Sequence, residues 1–301
     1  MSHLEINKLF SVEGMVAVIT GGGSGLGLIM AQALAANGAS KVYIIGRREH
    51  KLTEAASSSP KPGTIIPIVG DVGSKDSLQN AYDQISASTT HIDLLVANSG
   101  VMGPLGMPQK GEGASLAEIR EHLWNIPMEQ FTNTAHVNVT GAFYTAVAFL
   151  PLLEEANKRR PADAGPNVPR PQIIVTTSIA GFMRAMNPAM SYAYSSSKAA
   201  ANHLVKQLST ALAGHQIRVN GISPGLYHSE MSIRRYEKDD IPNKGLNEGS
   251  FGVDQIPLTR SGSEEDIAGV ILWLAGRTGS YVNGNIVISD GGRLAVHQAT
   301  Y

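Results

Sequence analysis

The chain has no cysteine in its 301 residues. That excludes disulfides, thiolate metal sites and a cysteine nucleophile, and it suits a reducing compartment. An excess of charge of either sign is also missing: 24 Lys and Arg stand against 25 Asp and Glu, for a formal net charge of −1. Such a balance gives no electrostatic reason to expect nucleic acid or an anionic membrane as partner. The N-terminal "MSHLEINKLF" lacks the continuous apolar core of a secretory signal. No run approaches the roughly 20 apolar residues that span a bilayer. The nine histidines are scattered, with no HxxxH pair on a helix, so no metal site is expected. At 43% hydrophobic and 16% charged residues, the chain can bury a large core. A soluble cytoplasmic globular protein is expected.

What is present is alternation. Short apolar runs occur at 15–20 ("MVAVIT"), 41–46 ("KVYIIG"), 64–70 ("TIIPIVG"), 92–98 ("IDLLVAN"), 172–178 ("QIIVTTS"), 217–223 ("IRVNGIS") and 285–290 ("NIVISD"). Most are rich in Val and Ile without alternating, as strands are when both faces of a parallel sheet are covered. Helical patterns lie between them, near 25–37, 48–58, 75–87, 128–155, 191–213 and 263–275. This order predicts a doubly wound α/β sheet with right-handed crossovers. Pro67 removes a ladder donor, so it belongs at an edge of pairing or near a strand end. No internal repeat or linker divides residues 1–301. The segments 101–127, rich in Gly and Pro, and 156–171, rich in Pro and charge, read as surface insertions. The long connection 226–257 reads as a lid over a substrate, with Tyr227, His228, Met231, Ile233 and Tyr236 as candidate capping residues.

"TGGGSGLG" (20–27) follows the first strand and opens the first helix. Glycines there let the backbone turn sharply and approach a pyrophosphate, while the helix N-terminus supplies amide donors. Gly21, Ser24, Gly25, Leu26 and Gly27 are therefore candidate dinucleotide contacts. At the end of the second strand, Gly46 stands where an NAD-specific site carries a carboxylate, and Arg47 and Arg48 follow. Arginine presents a planar fork of donors suited to a 2′-phosphate, which favours NADP(H) over NAD(H). The plainer reading makes the arginines solvated first-turn residues. Asp71, with Val72 beside it in "GDV", is placed to accept from an adenine amino group or to cap the next helix.

"SYAYSSSK" (191–198) offers two tyrosines and one lysine. On a helix Tyr194 and Lys198 are i and i+4 and share a face, whereas Tyr192 has only Ser196 at that spacing. A free tyrosine has a pKa of about 10 and is a poor acid–base near neutrality, so a neighbouring ammonium would be needed to move it. One Tyr–Lys pair is also what an exposed amphipathic helix shows by chance.

The motifs "TGGGSGLG", "ANSG" (97–100), "VNVTG" (137–141), "TTSIAG" (176–181), Tyr-x-x-x-Lys, "SPG" (223–225) and "DGG" (290–292) occur in one order. Over about residues 11–293 the set resembles the short-chain dehydrogenase/reductase family. It is most similar to the 3-oxoacyl-carrier-protein reductase-like branch, and its inserted loops resemble those of fungal secondary-metabolism members. The resemblance implies a single Rossmann-type domain with about seven parallel strands, and a homotetramer or homodimer. It implies Tyr194 as the acid–base, Lys198 as the residue that lowers its pKa and holds the nicotinamide ribose, and Ser178 as the hydroxyl orienting the substrate oxygen. It implies Asn138 as a relay asparagine, Asn98 and Gly100 as part of the cofactor wall, Pro224 and Gly225 beside the nicotinamide, and Ser229 on its carboxamide. Ala97 and Ser99 depart from the family's usual Asn and Ala around Asn98. Met102, Phe182, Met183 and Met186 fit either an apolar pocket or ordinary core. The implied activity is NADPH-dependent reduction of a ketone. Two rivals stand beside it: an NAD-linked secondary-alcohol dehydrogenase and a non-catalytic nucleotide sensor or scaffold.

Overall fold

The computed structural model describes residues 4–108, 113–161, 165, 168–184, 190–229, 232 and 242–300. Of the lid and pocket candidates, Met186, Met231, Ile233 and Tyr236 lie outside them. The elements run α1 (Ile6–Leu9), β1 (Val16–Thr20), α2 (Gly25–Ala36), β2 (Lys41–Gly46), α3 (Glu49–Ser57), β3 (Ile65–Val69), α4 (Lys75–Ser86) and β4 (Leu94–Ala97). They continue with α5 (Leu116–Trp124), α6 (Met128–Ala135), a π-helix (His136–Gly141), α7 (Ala142–Lys158), β5 (Gln172–Thr176) and α8 (Tyr192–Ala211). Last come β6 (Arg218–Pro224), α9 (Glu264–Ala275), β7 (Ile286–Ser289) and α10 (Arg293–Val296).

The seven strands form one sheet in the order β3-β2-β1-β4-β5-β6-β7, and every pairing is parallel. The expected fold class is the one observed. The central strands are apolar throughout because helices cover both faces. On one face Ile85, Phe149, Leu204 and Val205 pack from α4, α7 and α8. On the other, Met30, Leu34, Leu52, Ile267 and Ile271 pack from α2, α3 and α9. Chain order reverses between β1 and β4, which opens a crevice at their C-terminal ends. Pro67 sits within β3, opposite Ile44, and β3 is an edge strand with no second neighbour among the described residues to need its missing donor.

Two sequence expectations need correction. The segment 101–127 is not all loop: it holds α5, started by a capping box between Ser115 and Glu118. None of its residues is buried, so no periodic apolar stripe announced it. The stretch 128–155 is not one regular helix, because the π-turn interrupts it. The whole run Met128–Lys158 is also long and apolar enough to cross a membrane by composition, which a count of consecutive apolar residues did not reveal. Its Phe149, Leu152 and Leu153 are buried against the sheet, which accounts for much of that apolarity.

At the N-terminal end of β6, far from the crevice, Arg218 is buried, and an amide oxygen and backbone carbonyls receive its charge. Its guanidinium donates to Gln172 Oε1 and to the carbonyls of Gly279 (2.7 Å), Val282 (3.3 Å) and Arg170 (3.2 Å). Burial lowers its pKa to about 10, so it stays charged at neutral pH. The Val282 carbonyl and Gln172 Oε1 also accept from Asn220 Nδ2, at 2.9 Å and 3.0 Å, so Arg218 and Asn220 together fix the loop before β7. Arg218→Leu is expected to destabilise the fold by about 3 kcal/mol, read as a lower urea midpoint, because it removes charged hydrogen bonds to four buried acceptors at once.

Candidate active site

The glycine turn is built for close approach. Gly21 (φ 68°) and Gly25 (φ 53°) occupy left-handed backbone that other residues rarely adopt. A Cβ added at Gly27 would lie 2.3 Å from the Gly21 carbonyl oxygen, so no side chain fits between turn and α2. Ser24 stands at the N-cap of α2 with no side-chain cap bond, and Leu26 packs on the core. The turn is tied to the end of β4 by Asn98. Its Nδ2 donates to the carbonyls of Thr20 (3.0 Å) and Gly21 (3.3 Å), and its backbone N–H donates to Thr20 Oγ1 (3.0 Å). Asn98 is thus a brace, and the Ser99 amide also donates to Thr20 Oγ1, at 3.2 Å. Thr20 was not singled out from the sequence, although it opens the quoted motif. This cradle, which a Cβ would fill, fits a dinucleotide pyrophosphate.

Gly46 ends β2 and Arg48 precedes α3. Arg48 Nη2 donates to Ser24 Oγ at 3.2 Å, across the mouth of the glycine turn. Arg47 extends to within 4.0 Å of Asp71 Oδ2, and its side chain is 67% exposed. Asp71 does not cap the next helix; Ser74 does, accepting from the Ser77 amide at 3.3 Å. Asp71 Oδ1 instead accepts from the Gly73 amide at 2.9 Å. Val72 is buried and packs against Gly141 of the π-helix.

Tyr194 lies in the first turn of α8, whose N-cap Ser191 accepts from the Tyr194 amide at 3.2 Å. Ser178 follows β5 and heads a short 3-10 turn, where its Oγ accepts from the Ala180 amide at 3.1 Å. The Ser178 hydroxyl lies close enough to the Tyr194 hydroxyl to act on its ionisation. Lys198 is only 3% exposed, and its Nζ donates to the Thr176 carbonyl at 2.7 Å. It stands 5.7 Å from the centre of the Tyr194 ring. Tyr192, by contrast, is exposed and reaches Met107 Sδ at 3.8 Å. Burial pushes the Tyr194 hydroxyl above the ordinary tyrosine range, and the Ser178 hydroxyl offsets part of that. The downward push expected from Lys198 is not what sets Tyr194 in this state. Lys198 itself is lowered to about 8 by burial.

Asn138 is buried in the π-helix, and its carboxamide is fully engaged. Oδ1 accepts from the Val101 amide (2.8 Å), and Nδ2 donates to the Val101 carbonyl (2.9 Å) and Ser197 Oγ (2.9 Å). Ser197 Oγ in turn donates to the Tyr194 carbonyl at 2.7 Å. Ser197 therefore links Asn138 to α8, although within "SYAYSSSK" it read only as a small polar residue. A Cβ at Gly100 would sit 3.2 Å from Asn138 Oδ1 and 3.6 Å from Lys198 Nζ, so Gly100 keeps that corner open.

The turn after β6 closes the crevice. A Cβ at Gly225 would lie 2.6 Å from Asp290 Cα, and Pro224 is buried at the strand end. Ser229 comes within contact of the glycine turn, 3.4 Å from where a Gly25 Cβ would stand. Tyr227 does not cap a substrate: it is buried against Gly262, with its hydroxyl 2.6 Å from Ser289 Oγ. It anchors the base of the 226–257 connection.

Fold and site together define a Rossmann-type oxidoreductase, with a glycine turn at the switch of a parallel sheet and a tyrosine–lysine pair beside it. The chain belongs to the short-chain dehydrogenase family, whose description matches residues 15–240. It is 43% identical to the fungal "Short-chain dehydrogenase/reductase PhomF" of Diaporthe leptostromiformis, over 97% of this chain and 96% of that protein. It is 30% identical to the rhamnolipids biosynthesis 3-oxoacyl-[acyl-carrier-protein] reductase of Pseudomonas aeruginosa, over 95% of this chain and 99% of that one. The solved Pseudomonas aeruginosa RhlG/NADP active-site complex superposes with a TM-score of 0.76 at 30% identity, covering 94% of this chain and 98% of that chain.

The buried lysine leaves a pH signature. Its folded pKa, about 8, lies below the 10.5 of the unfolded chain. Between those values the unfolded state binds more protons, so stability rises with pH; below pH 8 the cost of the buried charge is felt in full. From pH 7 to 9.5 the cofactor-free protein is expected to gain about 2 kcal/mol relative to Lys198→Met, measured as the difference in denaturant stability.

Proposed function

We propose that this chain is an NADPH-dependent ketone reductase that also runs the reverse oxidation of a secondary alcohol. The observation that carries this reading is Tyr194 set against Ser178, with Lys198 buried one turn further along the same helix. Bound NADPH would supply the hydride. Tyr194 would hold the proton that passes to the carbonyl oxygen, and Ser178 would donate to the same oxygen as negative charge develops on it. Lys198 spends one N–H on Thr176 and keeps two for the tyrosine side and the nicotinamide ribose. Asn138, with both ends of its amide engaged, would position this cluster through Ser197 and Val101. Gly21, Ser24, Gly25, Leu26, Gly27, Val72, Asn98, Gly100, Pro224, Gly225 and Ser229 would line the cofactor.

NADP(H) is supported by three features. Gly46 leaves no carboxylate to repel a 2′-phosphate, Arg47 extends into solvent beside Asp71, and Arg48 spans to Ser24. The likeness to the RhlG/NADP complex points the same way. We further propose a cytoplasmic homo-oligomer, supported by the exposed apolar residues Met128, Phe131, Phe143 and Val147 on α6 and α7. We read residues 1–301 as one domain, with a substrate loop over 226–257 and surface insertions at 101–127 and 156–171.

Titration calorimetry with NADPH and NADH comes first, followed by NADPH oxidation with 3-oxobutanoyl and 3-oxooctanoyl thioesters of N-acetylcysteamine. Tyr194→Phe is expected to lower kcat about 10³-fold with NADPH affinity retained, since it removes only the transferable proton. Undiminished turnover would defeat this mechanism. Arg47→Asp is expected to weaken NADPH at least tenfold, by about 1.5 kcal/mol or more, while sparing NADH. An unchanged preference would return Arg47 to the surface and reopen the NAD-linked reading.

A further inference from the structure

We infer that residues 298–300 form a strap that holds the substrate-facing wall after Ser178, making the C-terminal segment a specificity element of the site; this rests on the ketone-reductase reading. The wall begins at Ser178 and runs through the 3-10 turn Ile179–Gly181 into Phe182–Arg184. One side of it is fixed by α8. A Cβ at Gly181 would lie 2.7 Å from the Lys198 backbone carbon and 2.8 Å from the Ala199 nitrogen, so the turn rests directly on the helix backbone. The other side is fixed by the tail. The Arg184 amide donates to the Gln298 carbonyl (2.8 Å), and the Thr300 amide donates back to the Phe182 carbonyl (2.8 Å). Thr300 Oγ1 adds a second bond to that carbonyl at 3.1 Å, and Met183 pairs antiparallel with Ala299.

The root of the strap is tied to the cofactor side. Asp290 Oδ1 accepts from the Gly292 amide (2.9 Å) and Oδ2 from the Leu294 amide (2.8 Å). Asp290 is also the residue pressed against Gly225. The tail therefore bridges the ends of β6 and β7 to the wall beside Ser178 and sets how far that wall stands from Tyr194. Phe182, Met183 and Met190 are apolar and half-buried, and thioether side chains adapt to flexible chains. Such a wall fits the longer, apolar substituent of a ketone such as a 3-oxoacyl group.

Two variants test this: deletion of residues 297–301, and Thr300→Pro, which removes the donor to Phe182. Neither touches the glycine turn, Ser178, Tyr194 or Lys198. With the strap loosened, amide exchange at Arg184 is expected to speed by about tenfold in the deletion. The kcat/KM ratio of 3-oxooctanoyl to 3-oxobutanoyl thioester should fall about fivefold in both variants, through KM, with NADPH affinity unchanged. Unchanged exchange at Arg184 or an unchanged chain-length ratio overturns the strap. So does NADPH affinity falling in step with activity, which marks general structural damage. Parent protein that binds NADPH but turns over neither thioester also overturns it. Parent protein that binds no dinucleotide brings down the underlying reading instead, and exchange at Arg184 then decides the strap alone.

Discussion

The site depends on how closely α8 lies against the C-terminal end of β5. The Lys198 side chain reaches out of the helix to the Thr176 carbonyl at 2.7 Å, and Gly181 leaves no room for a side chain where the next turn meets the helix backbone. That contact buries an ammonium, which costs free energy, yet it fixes the lysine, the tyrosine one turn earlier and the serine after β5 in a single unit. Asn138 and Ser197 extend the unit to the chain leaving β4. Five residues spread over 60 positions are held together because two backbones touch.

The sheet supplies the other half of the arrangement. Its order reverses between β1 and β4, and Asn98 stitches the two strand ends together across the gap. A glycine turn that would gape without this stitch is held against α2 with no side-chain volume between. The turn after β6 is packed as tightly, with Gly225 against Asp290. A flat ligand entering between these turns meets backbone on both sides, which suits the pyrophosphate and nicotinamide of a dinucleotide. The arginines after β2 lie further out, Arg47 exposed beside Asp71 and Arg48 reaching Ser24.

Much of this was legible in the residues, for physical reasons. Each of the seven apolar runs coincides with a strand to within a few residues, because strands covered on both faces have to be apolar. Boundaries slipped where burial and ladder pairing part company: Ile92 is fully buried, yet its amide goes to Leu152 rather than to a strand neighbour. Helical spacing separated Tyr194 from Tyr192 because i,i+4 is a matter of geometry. Other features left no trace. The helix α5 buries nothing and so has no stripe to read. Tyr227 resembles a capping aromatic until Ser289 is seen to hold its hydroxyl. The pairing of 298–300 with 182–184 uses mainly backbone groups, which every sequence carries.

The π-turn at His136–Gly141 also sets the phase of the long helix that contains it. A regular helix advances about 100° per residue, so Phe131 and Phe143, twelve residues apart, would point about 120° away from each other. One additional residue wound into the turn takes back about 100° of that, and leaves the two within about 20°. By the same count Met128 and Val147 come into line. The exposed apolar residues on either side of the turn thus form one continuous stripe instead of two patches on different faces. The same local underwinding that turns Asn138 inward aligns the outer surface of the helix.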